Sequence, residues 1–426
     1  MMTFQGRSQS FCDGINRRNF LALGAFGAGL SLTDMLRLQA ATKAKTPSLA
    51  KPKSAIMIYL PGGPSHIDMY DPKPDAPAEF RGEFKPINTN VAGVQLCEHF
   101  PMQAKMFDKL SVIRSIVSND EHSDSYVMSG YKEQINRVTG HPSFGSVLAK
   151  VRGGSADVPP FVSLRGMSLG TEPGYLGIAY RPFTPDGPAL QNLKLPGNVT
   201  GSRMDDRKDL LGSFDTARRD IDASGAMSGM DAFTQRAFDM VASGTVGKAL
   251  DTATEDAKTK ERYKGLESFL KARKLVEAGV GCVTLSYGGW DTHSGNFKSL
   301  KKQLPELDRG IANLVGDLSD RGLLDDTIVV VWGEFGRTPK INTSEGRDHW
   351  SACMSAMVAG GGMKMGQAIG ASSARGEYPK DSPYKVPHVL STIYTAMGID
   401  PGMTFPNGSG RPMYVLDERE TVKELL

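Results

Sequence analysis

The strongest constraint on the fold is a recurring pattern of short, continuous apolar runs that stop at glycine-rich polar loops. SAIMIYLP (residues 54–61) ends at Gly62-Gly63, and LSVIRSI (110–116), VGCVTLSY (280–287) and TIVVVWG (327–333) share its β-branched character. Runs of this length, apolar at every position, are expected for strands buried on both faces. Between them lie stretches of helical periodicity. These are Glu255 to Glu277, Asn296 to Asp320 with apolar residues at Leu300, Leu304, Leu307, Ile311, Leu314 and Leu318, and a C-terminal one near Val386 to Met397. Strands alternating with amphipathic helices predict an α/β fold, a mainly parallel sheet covered on both faces. The chain's 426 residues suffice for one large α/β domain or two, and its 39% hydrophobic and 23% charged content argues against wholesale disorder.

The N-terminus carries a different signal. Asn16-Arg17-Arg18-Asn19-Phe20-Leu21 precedes the apolar, glycine-rich run LALGAFGAGLSL. Paired arginines before a modest hydrophobic segment resemble a twin-arginine export signal, spanning residues 1–40. The run is about a dozen residues, short of the ~20 that cross a bilayer as a helix. The expectation is therefore a mature protein without a transmembrane segment, periplasmic or secreted. Residues 41–53 (ATKAKTPSLAKPK) are basic and proline-containing and read as a linker, so the folded domain is expected to span 54–426. Within it, residues 168–230 are rich in Gly, Pro, Asp and Ser and read as an insertion or lid.

Charge and cysteine content exclude some functions. Residues 1–40 contain four arginines against two aspartates, so their removal lowers the formal charge from +3 to about +1. No broad polyanion-binding field follows, and nucleic acid is not an expected partner. Cys12 would leave with the signal. Cys97, Cys282 and Cys353 remain, an odd count that argues against a disulfide framework, although one bridge stays open.

The residues able to do chemistry follow the expected strand ends. After the first run comes GGPSHIDMYDPKP with Ser65, His66, Asp68 and Asp71; after VGCVTLSY comes GGWDTH with Asp291 and His293. After TIVVVWG comes EFGRTP with Glu334 and Arg337, then GRDHW with Asp348 and His349. Ligands of open parallel sheets bind at the carboxyl ends of strands, so these clusters are expected to converge on one crevice. Carboxylates mixed with imidazoles are a ligand set for zinc or manganese and suit metal-assisted hydrolysis. Asp71, before a proline, equally suits a turn. Arg337 suits either an ion pair or an anionic ester group. A further cluster, Asp120-Glu121-His122-Ser123-Asp124-Ser125, opens a helical segment, where hydroxyls serve either as caps or at an anion site.

As an ordered set, GGPSHIDMYDPKP, GGWDTH, WGEFGRTP and GRDHW behind a twin-arginine signal resemble the bacterial family named Domain of Unknown Function fifteen-oh-one. The family looks like a branch of the alkaline phosphatase and sulfatase superfamily. That resemblance implies an alkaline phosphatase-like three-layer sandwich, one or two divalent ions such as zinc or manganese, and hydrolysis of an anionic ester such as a sulfated or phosphorylated glycan. It implies as metal ligands Asp291, His293 and His349, with Asp68 or His66 after the first strand and Glu334 where the superfamily has Asp-His-Gly. Glu334-Phe335-Gly336 supplies one ligand there instead of two. The nucleophile region resembles DEHSDSYVMSG, which makes Ser123 a candidate, with Ser65 its competitor and Arg337 a candidate anion anchor.

No cysteine sits in a Cys-x-Pro/Ala-x-Arg setting, which disfavours a formylglycine sulfatase. Gly-x-Ser-x-Gly, His-Glu-x-x-His and Gly-x-x-x-x-Gly-Lys are also absent. Three function classes remain: an exported metal-dependent hydrolase of phosphate or sulfate esters, a non-catalytic binding or scaffold protein that keeps the fold with or without a metal, and an exported partner of a larger surface or periplasmic complex. Metal content together with an ester screen separates the first two.

Overall fold

A computed structural model describes residues 54–154, 157–164, 169–185 and 243–426. The expected export signal and linker, and all but residues 169–185 of the expected insertion, lie outside the described residues.

Eight strands form one sheet: β1 (Ser54–Tyr59), β2 (Leu110–Val117), β3 (Phe161–Ser163), β4 (Cys282–Ser286), β5 (Thr327–Trp332), β6 (Met354–Gly360), β7 (Gln367–Ile369) and β8 (Tyr384–Lys385). Their order is β7-β2-β6-β5-β1-β4-β3, with β8 also paired to β2. All neighbours run parallel except β6, which is antiparallel to both β2 and β5. Because β6 reverses direction twice over, β2 points the same way as β5, β1 and β4. The carboxyl ends of these four strands, and the amino end of β6, therefore share one edge.

Side-chain alternation shows why the strand runs are apolar throughout. Ile56 and Ile58 on β1, and Leu60 just after it, enter a core built with Val329 and Val331 of β5 and with helices α2 (Glu267–Glu277) and α3 (Asn296–Asp320). Ala55, Met57 and Tyr59 face the opposite core, with Ile328, Val330 and Trp332, helix α1 (Phe144–Arg152) and helix α4 (Val386–Ala396). The result is a three-layer sandwich. α3 has the expected bounds, and its expected apolar stripe is buried. The expected helix from Glu255 to Glu277 is instead two, Ala257–Arg262 and α2. Gly265 between them has φ 77°, which breaks the helical ladder. Cys97, Cys282 and Cys353 are buried free thiols, so the open question of a bridge among them is closed. Among the described residues, no helix is long and apolar enough to cross a membrane.

Candidate metal centre

The loops at that shared edge are locked together by close backbone approach. Gly62, in the loop after β1, has φ 100°, and a Cβ there would lie 2.5 Å from the Asp291 amide nitrogen. A Cβ on Gly346 would lie 1.9 Å from the His293 carbonyl oxygen. Only glycine lets the β1 loop and the 344–349 loop press against the loop after β4.

Two fully buried arginines complete the scaffold. Arg337 Nε donates to the Gly63 carbonyl at 2.8 Å and Nη1 to the Arg347 carbonyl at 3.0 Å, and Nη2 donates to the Gly62 carbonyl and to Asp291 Oδ1, the latter at 2.5 Å. Arg347 clamps Asp68 with Nε–Oδ2 of 2.8 Å and Nη2–Oδ1 of 2.9 Å, and donates to the carbonyls of Phe80, Thr338 and Pro339. These bonds hold the loop that ends in Asp348 and His349.

Above this buried layer lies a solvent-open set of ligand-type atoms centred on Asp291, whose side chain is 44% exposed. Its Oδ1 is 3.0 Å from His293 Nε2 and 3.1 Å from His349 Nε2, and its Oδ2 is 3.6 Å from His122 Nε2. The Nε2 atoms of His293 and His349 face each other at 3.1 Å. Burial opposes ionisation of Asp291, but hydrogen bonds from Arg337 and His349 outweigh it and hold its carboxyl well below the usual carboxylate range. Burial lowers the His349 pKa, which favours a neutral imidazole with a lone pair to offer.

The sequence expectations divide accordingly. Asp291, His293 and His349 are brought together. Glu334 lies beside them but one step back: its side chain is fully buried, and Oε1 accepts from the Gly62 amide at 2.9 Å and sits 2.9 Å from His122 Nδ1. Burial raises the Glu334 pKa. Asp68 is not in the set, because both its oxygens are spent on Arg347 and Oδ2 also accepts from Asn296. His66 is not in it either; it is 1% exposed, with Nε2 against the Gly376 carbonyl at 2.8 Å and Nδ1 enclosed without a partner. Arg337 has no face left for an ester group.

Ser65 caps the short helix His66–Met69, its Oγ accepting from the Asp68 amide at 3.4 Å. Ser123 Oγ accepts from the Ser125 amide at 3.2 Å, and Glu133 accepts a hydrogen bond from Ser123. Both serines are buried, Ser65 as a helix N-cap and Ser123 in a turn one residue ahead of the Asp124 N-cap. Asp71 holds Lys73 at 3.0 Å and Ser372. The residue not singled out as a ligand from sequence was His122. Its signal was present: a histidine between acidic residues just beyond an apolar strand run.

A divalent ion fits this donor set. Ligand atoms of His122, Asp291 and His349 lie within 4.8 Å of one another. Ligands held tetrahedrally at about 2.0–2.1 Å stand about 3.3 Å apart, close to the 3.0–3.6 Å separations around Asp291. At the position where the resemblance implies a second histidine ligand stands Phe335, fully buried, its ring 4.4 Å from that of His349. The Phe335 ring itself supplies no donor atom at that position.

A family model described as "Protein of unknown function (DUF1501)" matches residues 52–426. The chain belongs to that family. Among solved structures, this DUF1501 protein is similar to the PsFucS1 sulfatase from Pseudoalteromonas sp., with 11% identity, 86% of this chain and 70% of that one covered, and a TM-score of 0.37. It is similar also to Ps i-CgsB in complex with k-i-k-neocarrahexaose (11% identity, 82% and 72% covered, TM-score 0.38). A third is TAB5 alkaline phosphatase (11% identity, 82% and 99% covered, TM-score 0.37). No curated protein matches the sequence.

Proposed function

We propose that this protein is an exported, metal-dependent hydrolase of anionic esters, acting at a single divalent ion held by Asp291, His122, His293 and His349. The observation that carries the reading is the convergence of three imidazole nitrogens on one carboxylate at the carboxyl edge of the sheet. Three nitrogen donors and one oxygen suit zinc better than magnesium or calcium. A bound ion would supply Lewis-acid polarisation of the ester and ready ionisation of water.

The chain's own residues do the rest. Arg337 fixes the Asp291 carboxylate and keeps it ionised. Phe335 walls off the floor. The open mouth, with His122, His293 and Asp291 each nearly half exposed, admits a bulky substrate such as a sulfated or phosphorylated glycan. Ser65 and Ser123 are buried and engaged with local backbone amides, so water is the attacking group in this reading. The arginine pair at 17–18 supports export through the twin-arginine route to the periplasm or beyond.

The test is hydrolysis of chromogenic sulfate and phosphate esters by zinc-loaded protein, with His349→Ala as control. Turnover of at least one ester class that the variant lacks supports the proposal. Protein that binds zinc but turns over neither class would instead favour the binding or scaffold reading.

A further inference from the structure

Two carboxylates stand just outside the convergent set, each against the far ring nitrogen of a histidine. Glu334 Oε1 is 2.9 Å from His122 Nδ1, and Asp348 Oδ1 is 2.7 Å from His293 Nδ1. A neutral imidazole that donates from Nδ1 carries its lone pair on Nε2, and in both residues Nε2 is the atom facing Asp291. We propose that Glu334 and Asp348 are positioning residues that hold His122 and His293 in the Nδ1-protonated form, so that both Nε2 lone pairs point at one metal position. The inference rests on the metal centre proposed above, and it moves Glu334 out of the ligand set that the sequence suggested.

The surroundings of Glu334 suit that task. It follows β5 directly, so the sheet fixes its backbone, and Ser118 donates to its carbonyl from beyond β2. Its Oε1 accepts from the Gly62 amide at 2.9 Å, and its Oε2 is buried without a hydrogen-bond partner. A fully buried carboxyl anchored in this way orients the half-exposed His122 ring. Asp348 is the weaker member, since it is 52% exposed, and Asn342 Nδ2 steadies it at 3.3 Å.

The decisive comparison is Glu334→Gln against Glu334→Ala. Glutamine keeps an oxygen that accepts from Nδ1–H but removes the charge a ligand would supply. In metal-free protein, nitrogen–proton correlation spectra should show His122 protonated at Nδ1 in wild type and in Glu334→Gln, but not in Glu334→Ala. Zinc titration against a chelator should show Glu334→Gln within about threefold of wild type and Glu334→Ala weakened about 10–100-fold, the usual range for lost outer-shell support. Asp348→Ala should have a smaller effect of the same kind on His293. His122 protonated at Nε2 in wild type, or zinc lost from Glu334→Gln as completely as from His122→Ala, would overturn the proposal. Wild-type protein that binds no zinc would instead refute the metal centre, while the tautomer spectra still judge the positioning role.

Discussion

Asp68 and Arg347 are predicted to hold the fold rather than the metal, and their removal should separate the two roles. Both side chains are fully buried and joined by two bonds of 2.8 and 2.9 Å. Removing one partner of a buried pair costs about 3–5 kcal/mol, because the other charge stays behind uncompensated. The two variants should not be equal. In Asp68→Ala the stranded guanidinium still donates to three carbonyls, of Phe80, Thr338 and Pro339, which places its cost near ~3 kcal/mol at the lower end of that range. In Arg347→Met the stranded carboxylate keeps only Asn296, which places its cost near ~5 kcal/mol at the upper end. The double variant should cost less than the sum of the singles, since neither charge is then buried alone. Urea unfolding measures all three, read as midpoint shifts at constant slope. Zinc bound per folded molecule should be unchanged in Asp68→Ala. A cost below about 1 kcal/mol, or a stable Asp68→Ala that no longer binds zinc, would refute the reasoning.

Three further outcomes are expected, two from the structure and one from the N-terminal sequence. Ser65→Ala, losing a cap, and Ser123→Ala, losing a turn hydrogen bond, should each cost about 1 kcal/mol and leave ester turnover near wild type; a loss of orders of magnitude at constant zinc content would make that serine the nucleophile. His141, stacked on Tyr131 at 3.5 Å, has a pKa lowered by burial to about 4, against 6.5 for the free side chain. The unfolded chain therefore binds the extra proton first, and stability present above pH 6.5 should fall as pH drops toward 4, by at most about 1.4 kcal/mol per unit. His141→Phe should flatten that slope, and an equally steep slope in the variant would assign it to other groups. Replacing Arg17 and Arg18 by Lys should leave the precursor in the cytoplasm, and normal export of that variant would contradict the twin-arginine reading.

The central strands were legible because burial on both faces leaves no polar position to obscure the pattern. β6 was not: MSAMVAG is built of small residues and methionine, whose strand preference is weak, and only its partners β2 and β5 make it a strand. At the site, Asp291, His293 and His349 could be read because they share short loops with glycines at strand ends. Asp68 and His66 carry the same local signature but turn inward to Arg347 and Gly376, partners some 280 and 310 residues away that no local pattern reveals. His122 was obscured for the converse reason. Its neighbours Glu121 and Ser123 accept from backbone amides at helix starts, so the segment looks like an ordinary helix start, and only the sheet order brings it over Asp291.

The central claim is one ion at Asp291, and diffraction from crystals grown with zinc, at the zinc absorption edge, tests it most directly. The account predicts a single anomalous peak about 2.0–2.2 Å from the Nε2 atoms of His122, His293 and His349 and from an Asp291 oxygen, with Glu334 in hydrogen-bonding contact with His122 Nδ1. A peak beside Asp68 and His66, a second peak over Phe335, or no peak at the Asp291 cluster in zinc-saturated protein would contradict it.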